Sequence, residues 1–142
     1  MTSGKTLSGR CLCGAVTFTA EPRALHMDSC HCSMCRRWSA GPLFAVDVGT
    51  SLKIADGAKL GVYGSSDWAE RCFCSVCGST LFWRMRDGSF TGVSAQAFDD
   101  PGIFEFTTEI FVDEKPANYA FAGERKRMTG AEVLAAFSKQ SE

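Results

Sequence analysis

Cys30-His31-Cys32-Ser33-Met34-Cys35 places three cysteines within six residues, and the other cysteines of the chain stand in two further groups on either side of it. Upstream lies Cys11-Leu12-Cys13-Gly14, downstream Cys72-Phe73-Cys74-Ser75-Val76-Cys77-Gly78, and no cysteine stands outside these groups. Clustering of this kind points to metal ligation, or to disulfides in a secreted chain. The first ten residues lack the apolar run of a signal peptide, and no later window approaches the roughly 18 apolar residues of a membrane span. A reducing, cytoplasmic setting without a membrane partner is therefore expected, where clustered thiols bind metal rather than pair with one another.

The ligand count then divides the cysteines. Cys74-x-x-Cys77-Gly78 reads as a zinc knuckle, and a tetrahedral ion with Zn–S bonds of about 2.3 Å needs thiolates from two such turns. Cys11-x-Cys13-Gly14 is the natural partner, so Cys11, Cys13, Cys74 and Cys77 form a closed, structural site. A divalent ion with four thiolates is doubly negative. Arg10 and Arg71, each beside a knuckle, are candidates to ease that charge, with plain solvation as the alternative.

Cys30, Cys32 and Cys35 remain for a second ion. Three protein ligands leave one tetrahedral position to water or substrate, the pattern of catalytic zinc. The alternative is that His31, Cys72 or a distant carboxylate closes the site. In an extended loop the His31 side chain points away from its neighbours, so it is expected beside the metal ligands or at the surface. Cys72 reads as a small buried hydrophobe, or else as a redox partner or fourth ligand. Arg36 and Arg37 follow the triple-cysteine segment and suit the carboxylates of a small acidic thiol or peptide, with a solvated pair as the alternative. Trp38 is the best candidate for a pocket wall, whereas Trp68 and Trp83 are expected in the core.

Around these groups the chain reads as mainly β, within one domain over residues 1–142. Leu7 to Ala20 predicts a strand pair turning at the first cysteine group, and Leu43 to Val48, Leu52 to Ile54 and Lys59 to Tyr63 predict further strands. Ala69 to Phe73 leads into the knuckle. Thr80 to Arg86 and Ser89 to Ser94 flank Asp87-Gly88, a two-residue hairpin signal. Phe104 to Val112 alternates as a long strand with Phe104, Phe106 and Ile110 toward the core. The triple-cysteine segment is expected to be a loop followed by one helical turn. Thr129 to Glu132 has the form of a capping box, predicting a helix over about 130–139 with Val133, Leu134 and Phe137 on one face. With 15 basic and 16 acidic side chains, no basic excess recommends nucleic acid as a partner.

Taken together, the motifs resemble the glutathione-dependent formaldehyde-activating enzyme and centromere protein V family. Cys11-Leu-Cys-Gly-Ala-Val-Thr-Phe, Cys30-His-Cys-Ser-Met-Cys-Arg-Arg and Arg71-Cys-Phe-Cys-Ser-Val-Cys-Gly-Ser-Thr-Leu fall in the family's order and spacing. Ile110-Phe-Val-Asp-Glu-Lys-Pro is similar to its late strand motif, so the resemblance covers about residues 8–119. It implies a β-tent of antiparallel sheets with zinc knuckles and two zinc ions, one structural on Cys11, Cys13, Cys74 and Cys77 and one catalytic on Cys30, Cys32 and Cys35. Three departures stand out. Glu109 occupies a position where the family often has histidine, and the tryptophan expected near Asn118 and Tyr119 and the usual Gly-x-Pro-x-Phe close around Gly123 are missing.

The function implied is zinc-dependent carbon–sulfur lyase chemistry, in which a thiol such as glutathione adds to formaldehyde or another small carbonyl. A non-catalytic zinc module for a protein partner and a thiol-redox protein are the alternatives.

Overall fold

Short runs of β-branched and aromatic residues, punctuated by glycine-bearing turns, form strands throughout the computed structural model, which describes residues 3–140. The strands are β1 (Leu7–Arg10), β2 (Thr17–Ala20), β3 (His26–Cys30), β4 (Leu43–Asp47), β5 (Lys53–Ile54), β6 (Leu60–Tyr63), β7 (Ala69–Cys74), β8 (Thr80–Met85), β9 (Thr91–Ser94), β10 (Glu105–Ile110) and β11 (Lys126–Met128). Among the described residues two α-helices accompany them, α1 (Ser33–Ser39) and α2 (Gly130–Gln140), so the architecture is mainly β, as expected. The chain divides into two compact units, Met1–His26 with Ala45–Glu105, and Met27–Phe44 with Phe106–Glu142.

In the first unit β1, β2 and β5 form an antiparallel sheet with Leu7 opposite Ala20 and Phe18 opposite Ile54. Phe18 is buried and meets Phe82 and Phe98 edge-on, with ring centroids at 5.1 and 5.4 Å. Gly9 makes room for it, since a Cβ there would lie 2.4 Å from the Phe18 ring. The strands β9, β8, β7 and β6 form a meander in which Cys72, Leu81, Phe82 and Val93 are fully buried. The β7–β8 register shifts between Cys72 and Phe73, where the ladder gives way to the second knuckle.

The β8–β9 connection is longer than the two residues expected. Gly88 N–H closes a turn on Met85 C=O, and the Asp87 carboxylate takes both the N–H and the hydroxyl of Ser89, so four residues separate the paired Met85 and Phe90. Local side-chain capture of backbone N–H groups outcompetes the tighter turn.

In the second unit β3 lies beside β10. Two features depart from the sequence reading. First, β10 pairs in parallel with β11, with Thr108 opposite Lys126 and Ile110 opposite Met128, so the sheets are mixed rather than wholly antiparallel. Residues between the two strands supply the long connection that a parallel pair requires. Second, β3 itself carries Cys30 at its end, so the triple-cysteine segment is a strand end and a helix start rather than a loop. Helix α2 has the expected capping box, with Glu132 N–H on Thr129 Oγ1 and Thr129 N–H on Glu132 Oε1. Only Val133 of its predicted apolar face is buried; Leu134 and Phe137 are exposed.

Candidate metal centres

The first cysteine group and the knuckle converge within the first unit. The sulfurs of Cys11, Cys13, Cys74 and Cys77 all lie within 4.8 Å of one another. Cys11 Sγ is 3.7 Å from Cys13 Sγ, and Cys13 Sγ is 3.8 Å from Cys74 Sγ across 61 residues of sequence. A tetrahedron with metal–sulfur bonds of about 2.3 Å has edges of about 3.8 Å, so the donor set matches the size of a zinc site.

The turns are built to present sulfur as thiolate. Val16 N–H donates to Cys11 Sγ at 3.3 Å, and the N–H groups of Val76 and Cys77 both reach Cys74 Sγ at 3.4 Å. Gly14 at φ +83° and Gly78 at φ +80° hold the left-handed conformation that ends each turn. The Ser79 hydroxyl, 3.2 Å from Cys77 Sγ, together with backbone N–H groups pulls the Cys77 thiol down to about 5. Ser79 Oγ also accepts the Leu12 N–H at 2.9 Å and so ties the two turns together. Against the lowering effect of the Ala15 N–H, desolvation and the neighbouring thiols push Cys13 up to about 11. Four thiols this close cannot all ionise without a cation between them, which is what a divalent metal provides. Arg10 Nη1 donates to the carbonyls of Cys11 and Leu12 rather than to sulfur, and Arg71 is buried.

The second cluster lies in the second unit, where Cys30, Cys32 and Cys35 also bring their sulfurs within 4.8 Å of one another. Cys30 ends β3, Cys32 is the N-cap of α1, and Cys35 sits on its first turn and donates its N–H to Cys32 Sγ at 3.3 Å. Hydrogen bonds from Cys32 and Cys35, then burial, drive the Cys30 thiol far up from its ordinary value. Among the described residues no histidine or carboxylate joins this group, nor does Cys72. Cys72 is fully buried, and desolvation pushes its thiol up to about 11, as befits a core residue.

Comparisons with known proteins bear on both centres. The family model of the glutathione-dependent formaldehyde-activating enzyme matches residues 6–114. The chain belongs to that family. It is also 31% identical over 132 residues to an uncharacterized lyase of Schizosaccharomyces pombe, covering 92% of this chain and 96% of that relative. A crystal structure of a Rhodobacter sphaeroides protein matches with a TM-score of 0.58 and 27% identity, over 71% of this chain and 100% of the other.

Within this member of the formaldehyde-activating family, the surroundings of the second cluster could not be read from motifs. His31 is fully buried rather than at the surface. Its Nε2 lies 2.9 Å from Glu109 Oε1, and its Nδ1 is 2.8 Å from the Tyr119 hydroxyl. With both ring nitrogens engaged, His31 is not a fourth ligand here. Glu109 is buried as well, with its other oxygen 2.7 Å from Arg125 Nη1 and 3.1 Å from Arg127 Nε. The long strand was expected to turn Ile110 inward, yet its acidic neighbour is the more buried because three cationic or donor groups wait for it. Its departure from the family pattern was the one available signal.

The remaining expected site residues, Arg36, Arg37 and Trp38, lie side by side on α1. Arg36 Nε donates to the His31 carbonyl at 2.9 Å, while Arg37 is exposed and Trp38 half-buried on α1. Trp68 is exposed rather than in the core and meets the half-buried Trp83 edge-on at 5.7 Å.

Proposed function

We propose that this chain is a zinc-dependent carbon–sulfur lyase-type enzyme that joins a thiol, such as glutathione, to formaldehyde or another small carbonyl. One observation carries the reading most directly: three thiols meet at the start of α1 while the nearest imidazole has both nitrogens committed elsewhere. A donor set of three is the catalytic pattern, and the four-thiol set in the other unit is the structural one.

Zinc held by Cys30, Cys32 and Cys35 would supply Lewis acidity, lowering the pKa of a thiol that binds beside them. The chain's own contribution is placement. Cys32 and Cys35 ride on the first turn of α1, so the helix fixes their separation, and Arg37 stands on the same short helix to meet a carboxylate of the thiol. Arg36, anchored to the His31 carbonyl, and Trp38 complete the proposed substrate contacts. In the net step a bond forms between the thiol sulfur and the carbonyl carbon, and the thiol proton passes to the carbonyl oxygen. No oxidant or reductant is needed, and the reverse reaction is the lyase direction.

Cobalt substitution tests this directly. Protein loaded with Co²⁺ should gain thiolate-to-metal absorption on adding glutathione, and the gain should vanish in Cys35→Ser. A spectrum indifferent to every thiol tried would count against the lyase. It would favour a non-catalytic module, for which the exposed Leu12 (82%) and Val76 (66%) on the two knuckles offer apolar contact points.

A further inference from the structure

His31 stands between two of the three second-site ligands, and it shares a peptide bond with each of them. Any rotation of its backbone therefore moves two sulfurs at once. The structure holds every polar group it has. Its N–H donates to Ile110 C=O at 3.0 Å, and its C=O accepts from Arg36 Nε. On the ring, Nε2 faces Glu109 Oε1 and, at 3.2 Å, Ser29 Oγ, while Nδ1 meets Tyr119 Oη. Phe121 packs on the ring, with centroids 5.8 Å apart.

Glu109 is fixed in turn from its far side. Its side chain is 3% exposed, and Arg125, which receives it, lies over the Phe106 ring at 4.1 Å and donates also to Ala122 C=O. A carboxylate can only accept, so a His31 proton is directed to Nε2, and Nδ1 is left to pair with the Tyr119 hydroxyl. The ring is thus locked in one orientation by groups from β10 and from the chain on either side of Phe121, all within the second unit.

We propose that Glu109 is a positioning residue of the second metal site: by holding the His31 ring it keeps Cys30, Cys32 and Cys35 gathered and keeps the imidazole off the metal, reserving the fourth position for a ligand from outside. This rests on the reading that the three thiols hold an ion, and not on turnover. Outer groups that orient a metal-binding segment are commonly worth 10- to 100-fold in metal affinity.

The test is a Co²⁺ titration in competition with a chelator, without thiol or carbonyl, reading the two sites separately by their absorption. In Glu109→Ala the second-site affinity should fall about 10- to 100-fold while the first site keeps its parent value. Glu109→Gln, which retains an acceptor for Nε2, should recover most of that loss, and Tyr119→Phe should lie between parent and Glu109→Ala. The proposal is overturned if folded Glu109→Ala binds the second ion as the parent does, or if Gln loses as much as Ala, since the carboxylate would then serve only the arginines. Should Glu109→Ala not fold, Tyr119→Phe decides: parent affinity there overturns the proposal, and a selective second-site loss supports it. A parent that loads a single ion overturns the three-thiol reading and the proposal with it. A parent that loads two, with unaltered Glu109→Ala, removes this proposal and leaves the proposed function standing.

Discussion

The two cysteine clusters use the same donor atom for opposite structural ends. In the first, ligands come from two turns 61 residues apart between Cys13 and Cys74, so an ion there cross-links the unit that contains them. In the second, all three ligands come from six residues, so an ion there closes almost no chain. Loop-closure entropy rises with the length enclosed, and a long closure therefore returns far more stability than a local one. The sulfurs show the same contrast. Those of the first cluster accept N–H bonds from Val16, Val76 and Cys77 and lie beside the Ser79 hydroxyl. In the second cluster Cys35 N–H donates to Cys32 Sγ, and further support comes through His31, which stands between two of the ligands and is held by Glu109.

The largest expected effect breaks the comparison outright if it fails. Cys74→Ser should unfold or strongly destabilise the chain, by about 3 kcal/mol or more, because it removes a ligand from the site that closes the fold. Cys32→Ser should cost about 1 kcal/mol or less and leave a folded protein holding a single ion. Thermal melts and metal analysis of the two variants, side by side, check both halves. Equal losses of stability would mean that the second site is as structural as the first.

Next comes the buried carboxylate of the second unit. Burial alone would raise Glu109, but the Arg125 hydrogen bond, then His31 and the charge of Arg127, hold it below the usual carboxylate range. A carboxylate depressed in the folded state contributes stability that is fully present above its unfolded pKa of about 4.3 and is lost as pH falls through the lower folded value. The groups facing it are His31, Arg125 and Arg127. Against Glu109→Gln, the parent should therefore be more stable by about 2 kcal/mol near neutrality, with the gap narrowing only below about pH 4. Urea midpoints of both proteins at stepped pH measure it. A gap that widens in acid would show that Glu109 enters the folded state protonated.

How much of this was legible in the sequence differs between the clusters in the same way. Metal ligation dictates short, fixed spacings, so Cys11, Cys13, Cys74 and Cys77 could be paired from the chain alone, as could the hairpin strands and the capping box of α2. Ser79 could not. It is a small polar residue after a glycine, and only the folded positions of Leu12 and Cys77 give its hydroxyl two partners. The partnership around His31 was hidden for a related reason: Glu109 and Tyr119 reach it across 78 and 88 residues, and Arg125 and Arg127 join only through Glu109, with no spacing rule to connect them. Strand β11 was missed because Lys126-Arg127-Met128 has no strand-like alternation; its parallel partner, not its composition, makes it a strand.

Ser79 sharpens the picture of the first site. Ser79→Ala removes the acceptor of the Leu12 N–H and the hydroxyl beside Cys77, at an expected cost of about 1 to 2 kcal/mol. The chelator concentration that strips the first ion should fall, while the second ion is unaffected. If the second ion leaves at lower chelator too, the two sites are not independent, and the contrast between a cross-link and a local clasp is too simple.

The smallest effect separates stability from site geometry in the second unit. Thr129→Ala deletes the N-cap of α2, whose hydroxyl accepts the Glu132 N–H at 3.3 Å, and such a loss costs about 1 kcal/mol. Helix α2 shares the second unit with Cys30, Cys32 and Cys35, but among the described residues it supplies no ligand to that cluster. The variant should therefore melt earlier while binding the second ion as tightly as the parent. Co²⁺ competition in parallel with thermal unfolding reads both quantities on one sample. If second-site affinity falls along with α2, that site is simply tracking how firmly its unit is folded. Any loss seen on altering Glu109 would then have to exceed what the same drop in stability produces through Thr129 before it could be credited to the His31 ring.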